Sequence, residues 1–260
     1  MEEDIHDPAF VAALFDRCSA RYRWWSQVAS FGMIAAWRTT VAARLAGARQ
    51  MGRVQHGQVG PEPGAAPQVV DLMAGTGEVW RHLDRWFPDA RITAIDISPR
   101  MHDRAVERLH RSRTDRITHR TGDALDCPLP DGSADLVISS FGLKTLSPAQ
   151  QHALAQEIAR LLRPGGAFAL IEASDPRGWA LRPLYRFYLD GVLPLIERLF
   201  LRGARDFAMI GTYTQVFGSC DGFAEALPQA GLIAREEHHF FGCATSVAGI
   251  RPIATATEGA

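Results

Sequence analysis

Three aspartates have the type and spacing to hold a polar ligand: Asp71, Asp96 and Asp123. Each stands where a short apolar run gives way to a turn. Asp71 lies in Val69-Val70-Asp71-Leu72-Met73-Ala74-Gly75-Thr76-Gly77-Glu78, whose glycines let a backbone approach a ligand with no Cβ in the way. A phosphate-cradling P-loop is excluded, because no Gly-Lys-Ser/Thr follows. A nicotinamide or flavin fingerprint wants a third glycine, and Trp80 occupies that position. An acid at the strand end is awkward for a pyrophosphate and well placed for a cation, such as the ammonium and sulfonium of S-adenosylmethionine. Asp96 closes RITAID, nineteen residues beyond Gly77, where a carboxylate can accept both ribose hydroxyls; that position alone fits NAD equally well. Asp123, in Gly122-Asp123-Ala124, can accept from an adenine amine or cap a helix.

Elements that could position these acids follow from the pattern. Val69–Leu72, Arg91–Ile97, Ile117–Arg120, Asp135–Ser140 and Ala167–Ala173 read as strands. Helices fall between them at Glu78–Phe87, from Ser98-Pro99 onward, and from Ser147-Pro148 with a capping-box spacing to Gln150, ending at Gly165-Gly166. A helix over Asp221–Ala230 and two further runs, His238–Phe241 and Ala244–Ile250, complete the chain. The alternation predicts an α/β fold: a Rossmann-like, doubly wound, mostly parallel seven-stranded sheet with an antiparallel C-terminal strand. N-terminal helices and a helical lid insertion are added to it. The division expected is 1–51 as an N-terminal helical cover, 52–67 as a Gly/Pro-rich loop and 68–178 as the cofactor-binding core. Residues 179–217 form the lid, and 218–260 supply the helix and strands completing the core.

Composition narrows the function. The 260 residues carry 28 basic and 29 acidic side chains, a net charge of −1, without the basic excess that phosphate-backbone binding requires. A nucleic-acid partner is therefore not expected, and no Asn/Asp-Pro-Pro-Tyr/Phe motif is present. The longest uncharged stretches, Trp24–Trp37 and Phe207–Cys220, fall short of the roughly 20 apolar residues of a membrane span. MEEDIHD lacks the order of a signal peptide, and Cys18, Cys127, Cys220 and Cys243 form no CxxC pair. A cytoplasmic protein with reduced cysteines and no metal site is expected, as monomer or homodimer.

The motifs DLMAGTG, AIDIS followed by Met101, GDA, SADLVISSFGLKTL and LLRPGG resemble those of class I S-adenosylmethionine-dependent methyltransferases. More narrowly, they are similar to the ubiquinone/menaquinone biosynthesis C-methyltransferase family. Phe15-Asp16, Tyr22, Ser30-Phe31-Gly32 and Trp37-Arg38 resemble that family's N-terminal pattern, and Ile171-Glu172-Ala173-Ser174-Asp175-Pro176 its LEFSKP segment. Tyr185-Arg186-Phe187-Tyr188 with Val192-Leu193-Pro194 resembles its lid. The match spans roughly residues 15–250, without the 52–67 loop.

The resemblance implies S-adenosyl-L-methionine as cofactor, with Ala74, Gly75 and Gly77 around its methionine moiety, Tyr22 closing over that end, and Asp96 with Ile97 at the ribose. Met101 would pack on the adenine; Gly122, Asp123 and Ala124 would read its edge, with Ser140 nearby. The acceptor implied is a small aromatic or quinol-like molecule methylated on carbon, which needs a hydroxyl polarised so that the ring becomes carbanion-like. Where the family has an Arg-Asn pair after SFGL, this chain has Lys144-Thr145, the expected catalytic pair. Lysine keeps the charge but loses the planar fork, and threonine loses the amide. That departure also leaves open O- or N-methylation, a non-methylating use of the cofactor such as cyclisation, or a catalytically silent binding partner. Phe31, Tyr185, Tyr188 and Tyr213 are the expected substrate contacts, with Asp190 as a further candidate. His238 and His239 read as surface or core residues rather than bases.

Overall fold

The computed structural model describes residues 4–55, 66–112, 115–200 and 209–253. Seven strands form one sheet in the order β3-β2-β1-β4-β5-β7-β6. They are β1 (Gln68–Leu72), β2 (Arg91–Asp96), β3 (Ile117–Thr121), β4 (Ala134–Ser140), β5 (Leu162–Ala173), β6 (Ile233–His239) and β7 (Ala244–Ile250). The first five run parallel, while β7 is antiparallel to both β5 and β6. Strand order reverses between β1 and β4, so a crevice opens at the carboxyl ends of these strands, where such sheets bind ligands.

The central strands are apolar on both faces because helices cover both. Val69 faces one core with α3 (Ile34–Gln55) and α4 (Trp80–Leu83); Val70 and Leu72 face the other, with α6 (Pro148–Leu161) and α10 (Asp221–Ala226). The side that carries α3 and α4 also carries α5 (Pro99–Ser112), whose buried stripe is Met101, Ala105 and Leu109, the last two packed in the core with Val69. Helix α6 starts on a complete capping box: Ser147 accepts from the Gln150 N–H, and the Gln150 side chain accepts from the Ser147 N–H.

Several boundaries differ from the expected ones. Helix α3 runs on to Gln55, into the Gly/Pro-rich segment, because Gly52 packs against Gly165 and Ile250, where a Cβ would meet the Gly165 carbonyl at 3.2 Å. The 78–87 helix shrinks to Trp80–Leu83, since Gly77 (φ +76°) holds the chain in turns up to Val79. Strand β5 begins directly after α6 and passes through Gly165-Gly166. The register shifts opposite Ala134–Leu136, and a Cβ on Gly166 would lie 2.9 Å from the Arg163 carbonyl. The 221–230 helix breaks at Pro228, which has no N–H to continue the ladder. The run read as His238–Phe241 is β6 ending at His239, with Phe240 and Phe241 in left-handed turn geometry.

The remaining helices make a third cluster above the crevice. Helices α1 (Pro8–Cys18) and α2 (Tyr22–Ala29) pack with a lid of α7 (Arg182–Phe187), a π-turn at Tyr188–Val192, α8 (Leu193–Phe200) and α9 (Met209–Phe217). Leu14, Cys18, Trp25, Leu189, Leu193 and Tyr213 form their shared core. Asp7 caps α1 by accepting from the Ala9 and Phe10 N–H groups. All four cysteines are free and buried, and no helix among the described residues is long and apolar enough to cross a membrane.

Candidate active site

The loop after β1 is wired to its neighbours at both ends. The Gly75 N–H donates to Asp96 Oδ2 at 2.7 Å, and the Ser98 N–H donates to Asp96 Oδ1 at 2.9 Å. Burial pushes the Asp96 carboxyl up to about 6, against the pull of those two donors. The Gly75 carbonyl lies 2.9 Å from His119 Nε2, while His119 Nδ1 faces His102 Nδ1 at 3.1 Å. Burial lowers His119 to about 4, so it is neutral near pH 7 and donates one N–H to the loop. Gly77 allows no side chain: a Cβ there would lie 2.3 Å from the Trp80 ring.

Asp71 is placed differently from the expectation. It points below the loop on the Val69 side of the sheet and is fully buried. Its Oδ2 accepts from Trp80 Nε1–H at 2.8 Å, and Oδ1 has no partner. Burial pushes its carboxyl up to about 8. It lines neither of the two spaces described below, and neither do Gly77 and Gly122, which shape the backbone instead.

Above the loop runs a slot. Its walls include Ile97, Met101, Asp123, Ala124 and Leu125, then Asp96, Gly75 and Ala74, and also Ser140, Phe141 and a charged group of Arg38, Glu78 and Tyr22 that act on one another. Asp123 Oδ1 accepts from the Leu125 N–H at 2.9 Å, a turn-forming bond that leaves Oδ2 without a protein partner among the described residues. The N-terminal segment roofs the slot with His6, Val11 and Phe15. It is tied down by His6 Nδ1 at 2.9 Å from the Thr145 carbonyl and by Gln150 Nε2 donating to the His6 carbonyl at 3.0 Å. Asp16 Oδ1 accepts from the Ser98 hydroxyl and from the Arg100 N–H.

A second cavity, about 590 Å³, adjoins the slot between α2, α3 and the lid. Tyr22 and Phe141 border both spaces and form the wall between them. Phe141 sits at φ +67°, a strained setting for a bulky residue; its N–H donates to the Ile171 carbonyl at 2.9 Å. The second cavity is almost entirely apolar, with Met33, Trp37, Trp179, Leu184 and Phe187 among its walls. Among the described residues its one charged group is Lys144, buried, whose Nζ donates to Glu172 Oε1 at 2.7 Å and to the Phe141 carbonyl at 3.0 Å. Glu172 accepts in addition from the Lys144 and Ala173 N–H groups at 3.0 and 2.7 Å.

Three of the four expected substrate contacts, Phe31, Tyr185 and Tyr188, border this cavity. Phe31 and Tyr188 stack with ring centroids 4.1 Å apart, and the Tyr188 hydroxyl donates to the Val28 carbonyl at 2.6 Å. Tyr213 does not: it is buried in the cover, with its hydroxyl donating to the Ile5 carbonyl. The expected pair Lys144-Thr145 is split. Thr145 borders the slot, and its hydroxyl donates to the Gly142 carbonyl at 2.7 Å. Successive residues of the 3₁₀ turn Leu143–Thr145 point roughly 120° apart, so the two side chains serve different spaces. Asp190 is paired with Gln215 and Arg186, and His238 and His239 border neither cavity.

Sequence reasoning assigned no role to Arg38, Glu78, Phe141, His119 or Glu172. Arg38, Phe141 and Glu172 lay within motifs quoted for their resemblance, yet their burial depends on long-range packing.

Strand order, antiparallel β7 and a crevice-top slot define the Rossmann-like methyltransferase fold. The fold is shared with human N-acetylserotonin methyltransferase in complex with SAM (TM-score 0.55, 20% identity, covering 90% of this chain and 59% of that one). A chain of a methyltransferase–activator complex from Haloferax volcanii shares it too (TM-score 0.57, 21% identity, covering 92% and 98%). Residues 3–251 match the ubiE/COQ5 methyltransferase family, and the chain belongs to that family of S-adenosylmethionine-dependent methyltransferases. Among relatives, a ubiquinone/menaquinone biosynthesis C-methyltransferase UbiE of Syntrophotalea carbinolica is 30% identical over 204 residues, 78% of each chain. A demethylmenaquinone methyltransferase of Thermotoga maritima is 29% identical over 238 residues, 91% of this chain and 92% of that one.

Proposed function

We propose that the chain transfers a methyl group to a ring carbon of a small aromatic or quinol-like acceptor held in the 590 Å³ cavity. The observation that carries this reading is the shared wall: a polar slot and an apolar cavity meet at Tyr22 and Phe141, with the buried Lys144 ammonium on the cavity side.

The slot's groups fit S-adenosylmethionine. Asp96 offers carboxylate lone pairs for ribose hydroxyls, Asp123 Oδ2 is available for an adenine amine, and Ile97, Met101 and Ala124 give apolar faces for a flat base. Ala74 and Gly75 leave room for the methionine portion, since no atom lies within 4 Å of a Cβ built on Gly75. Ser140 and Tyr22 border the same slot. The cofactor, when bound, supplies an electrophilic methyl group. The protein's part is to exclude water and prepare the nucleophile.

Lys144 does the preparing. Its ammonium is held by Glu172 and the Phe141 carbonyl, and its third N–H has no protein partner among the described residues. Once the acceptor hydroxyl has lost its proton to water, donating that N–H to its oxygen favours the oxyanion and raises electron density on the adjoining ring carbons; the carbon that gains the methyl then gives up its own proton to water and the ring regains its aromaticity. The apolar walls strengthen this by keeping the effective dielectric low. Phe31, Tyr185 and Tyr188 orient the ring.

Incubating the protein with S-adenosylmethionine and a hydroquinone or naphthoquinol, followed by mass spectrometry and NMR of the product, tests the reading. A gain of one methyl on a ring carbon is expected. A methyl on oxygen would replace carbon chemistry by O-methylation, and no methyl gain across such acceptors would overturn the acceptor class.

A further inference from the structure

Arg38 is 3% exposed, yet it makes no hydrogen bond or ion pair among the described residues, and its buried Nε has no acceptor. Its guanidinium carbon lies 5.4 Å from the centre of the Phe141 ring, the only specific contact it makes there. A buried cation whose neighbouring opposite charge, Glu78, forms no ion pair with it is costly and calls for an anion that arrives with a ligand. Arg38 borders the slot beside Glu78 and Tyr22, whose charges act on it.

Glu78 is also nearly buried and borders the same slot. Its Oε1 accepts from the Thr76 hydroxyl, and the Arg23 and Arg108 guanidinia come no closer than 3.7 Å. Arg38 and Glu78 thus lie side by side without forming an ion pair. Both also border a polar cleft of about 280 Å³ shared with Arg23, Arg81 and Arg108, so four guanidinia surround one carboxylate and the local potential favours an anion. The strand-end acid from which a cation contact was expected, Asp71, is turned away and bonded to Trp80.

We propose that Arg38 and Glu78 form a receptor for the zwitterionic amino-acid end of the cofactor. Arg38 takes the α-carboxylate and Glu78 faces the α-ammonium. The inference rests on reading the slot as the S-adenosylmethionine site, and it assigns the head-group contact to α3 and the Gly-loop exit rather than to β1. A guanidinium suits a carboxylate because two parallel N–H groups match its two oxygens.

Calorimetric titration separates the possibilities without any activity assay. The probes are S-adenosylhomocysteine, its decarboxylated analogue S-adenosyl-3-thiopropylamine, and 5′-methylthioadenosine, which lacks the amino-acid end. The wild-type protein is expected to bind the decarboxylated analogue about 10- to 100-fold more weakly than S-adenosylhomocysteine. Arg38→Met should weaken S-adenosylhomocysteine by a similar factor and leave 5′-methylthioadenosine within about twofold, with Arg38→Lys intermediate. Glu78→Gln should weaken both amine-bearing probes and spare 5′-methylthioadenosine. Equal weakening of all three probes in Arg38→Met would reduce Arg38 to packing and overturn the receptor, as would unchanged S-adenosylhomocysteine binding. Wild-type protein that binds none of the three would overturn the cofactor reading of the slot along with it.

Discussion

The slot and the cavity share a wall and are built on opposite principles. The slot is made from strand ends and the loop after β1, and its polar groups are fixed by backbone bonds: Gly75 and Ser98 on Asp96, His119 on Gly75, Leu125 on Asp123. The cavity is made from helices of three distant segments, and its walls are side chains that touch one another, as in the Phe31–Tyr188 stack. The difference teaches where variation is tolerated. A bond network aimed at one ligand fails when any backbone position moves, whereas a helical apolar cavity can change its walls and its acceptor without unmaking the slot.

Substitutions can break this contrast. The largest effect is expected at Gly77. An alanine there combines a left-handed φ of +76° with a Cβ 2.3 Å from the Trp80 ring. Strain and overpacking together cost about 3 kcal/mol, lowering Tm by roughly 6–12 °C, and the displaced loop loses S-adenosylhomocysteine binding. Differential scanning calorimetry with titration reads both.

Lys144→Met should cut the methyl-transfer rate about 100-fold, the range general acid–base and charge stabilisation cover. Left alone, it strands Glu172 buried and unpaired, which destabilises the fold. The double variant Lys144→Met, Glu172→Gln is expected to recover stability and not activity. A double variant that recovers activity would remove Lys144 from the chemistry.

Phe31→Ala, removing one partner of the stack at the cavity mouth, should raise the acceptor KM about three- to tenfold and leave the cofactor KM unchanged. The smallest functional effect is expected at Asp71. Its folded-state carboxyl, near 8, holds a proton that an ordinary carboxyl at 3.8 has given up, so stability falls as pH rises from about 4 to about 8. Asp71→Asn, which still accepts from Trp80, should flatten that decline in Tm between pH 5 and pH 8 with S-adenosylhomocysteine affinity unchanged. A large loss of affinity would return Asp71 to the cofactor.

Most of the slot's positions and little of the cavity's wiring were legible in the sequence. β1, β2 and β4 announce themselves as apolar runs ending at turn residues, and the Ser147–Gln150 cap marks α6 to the residue. Asp96 and Asp123 follow because a strand end plus a turn already fixes where they stand. Asp71 shows the limit. In a strand buried on both faces hydrophobicity does not reveal which way each residue points, and alternation puts Asp71 with Val69, under Trp80. Thr145 misleads for a related reason, since a 3₁₀ turn separates neighbours that a motif writes side by side. Tyr213 and Arg38 depend on how α9 and α3 pack, which no local pattern records.

The separation of slot and cavity is tested most directly by titrating S-adenosylhomocysteine into the wild-type protein and the Lys144→Met, Glu172→Gln double variant. Affinities equal within about twofold, in a variant whose methyl transfer has fallen about 100-fold, are expected if the slot holds the cofactor and Lys144 serves only the acceptor side. An affinity that falls in step with the rate would contradict two compartments divided at Tyr22 and Phe141.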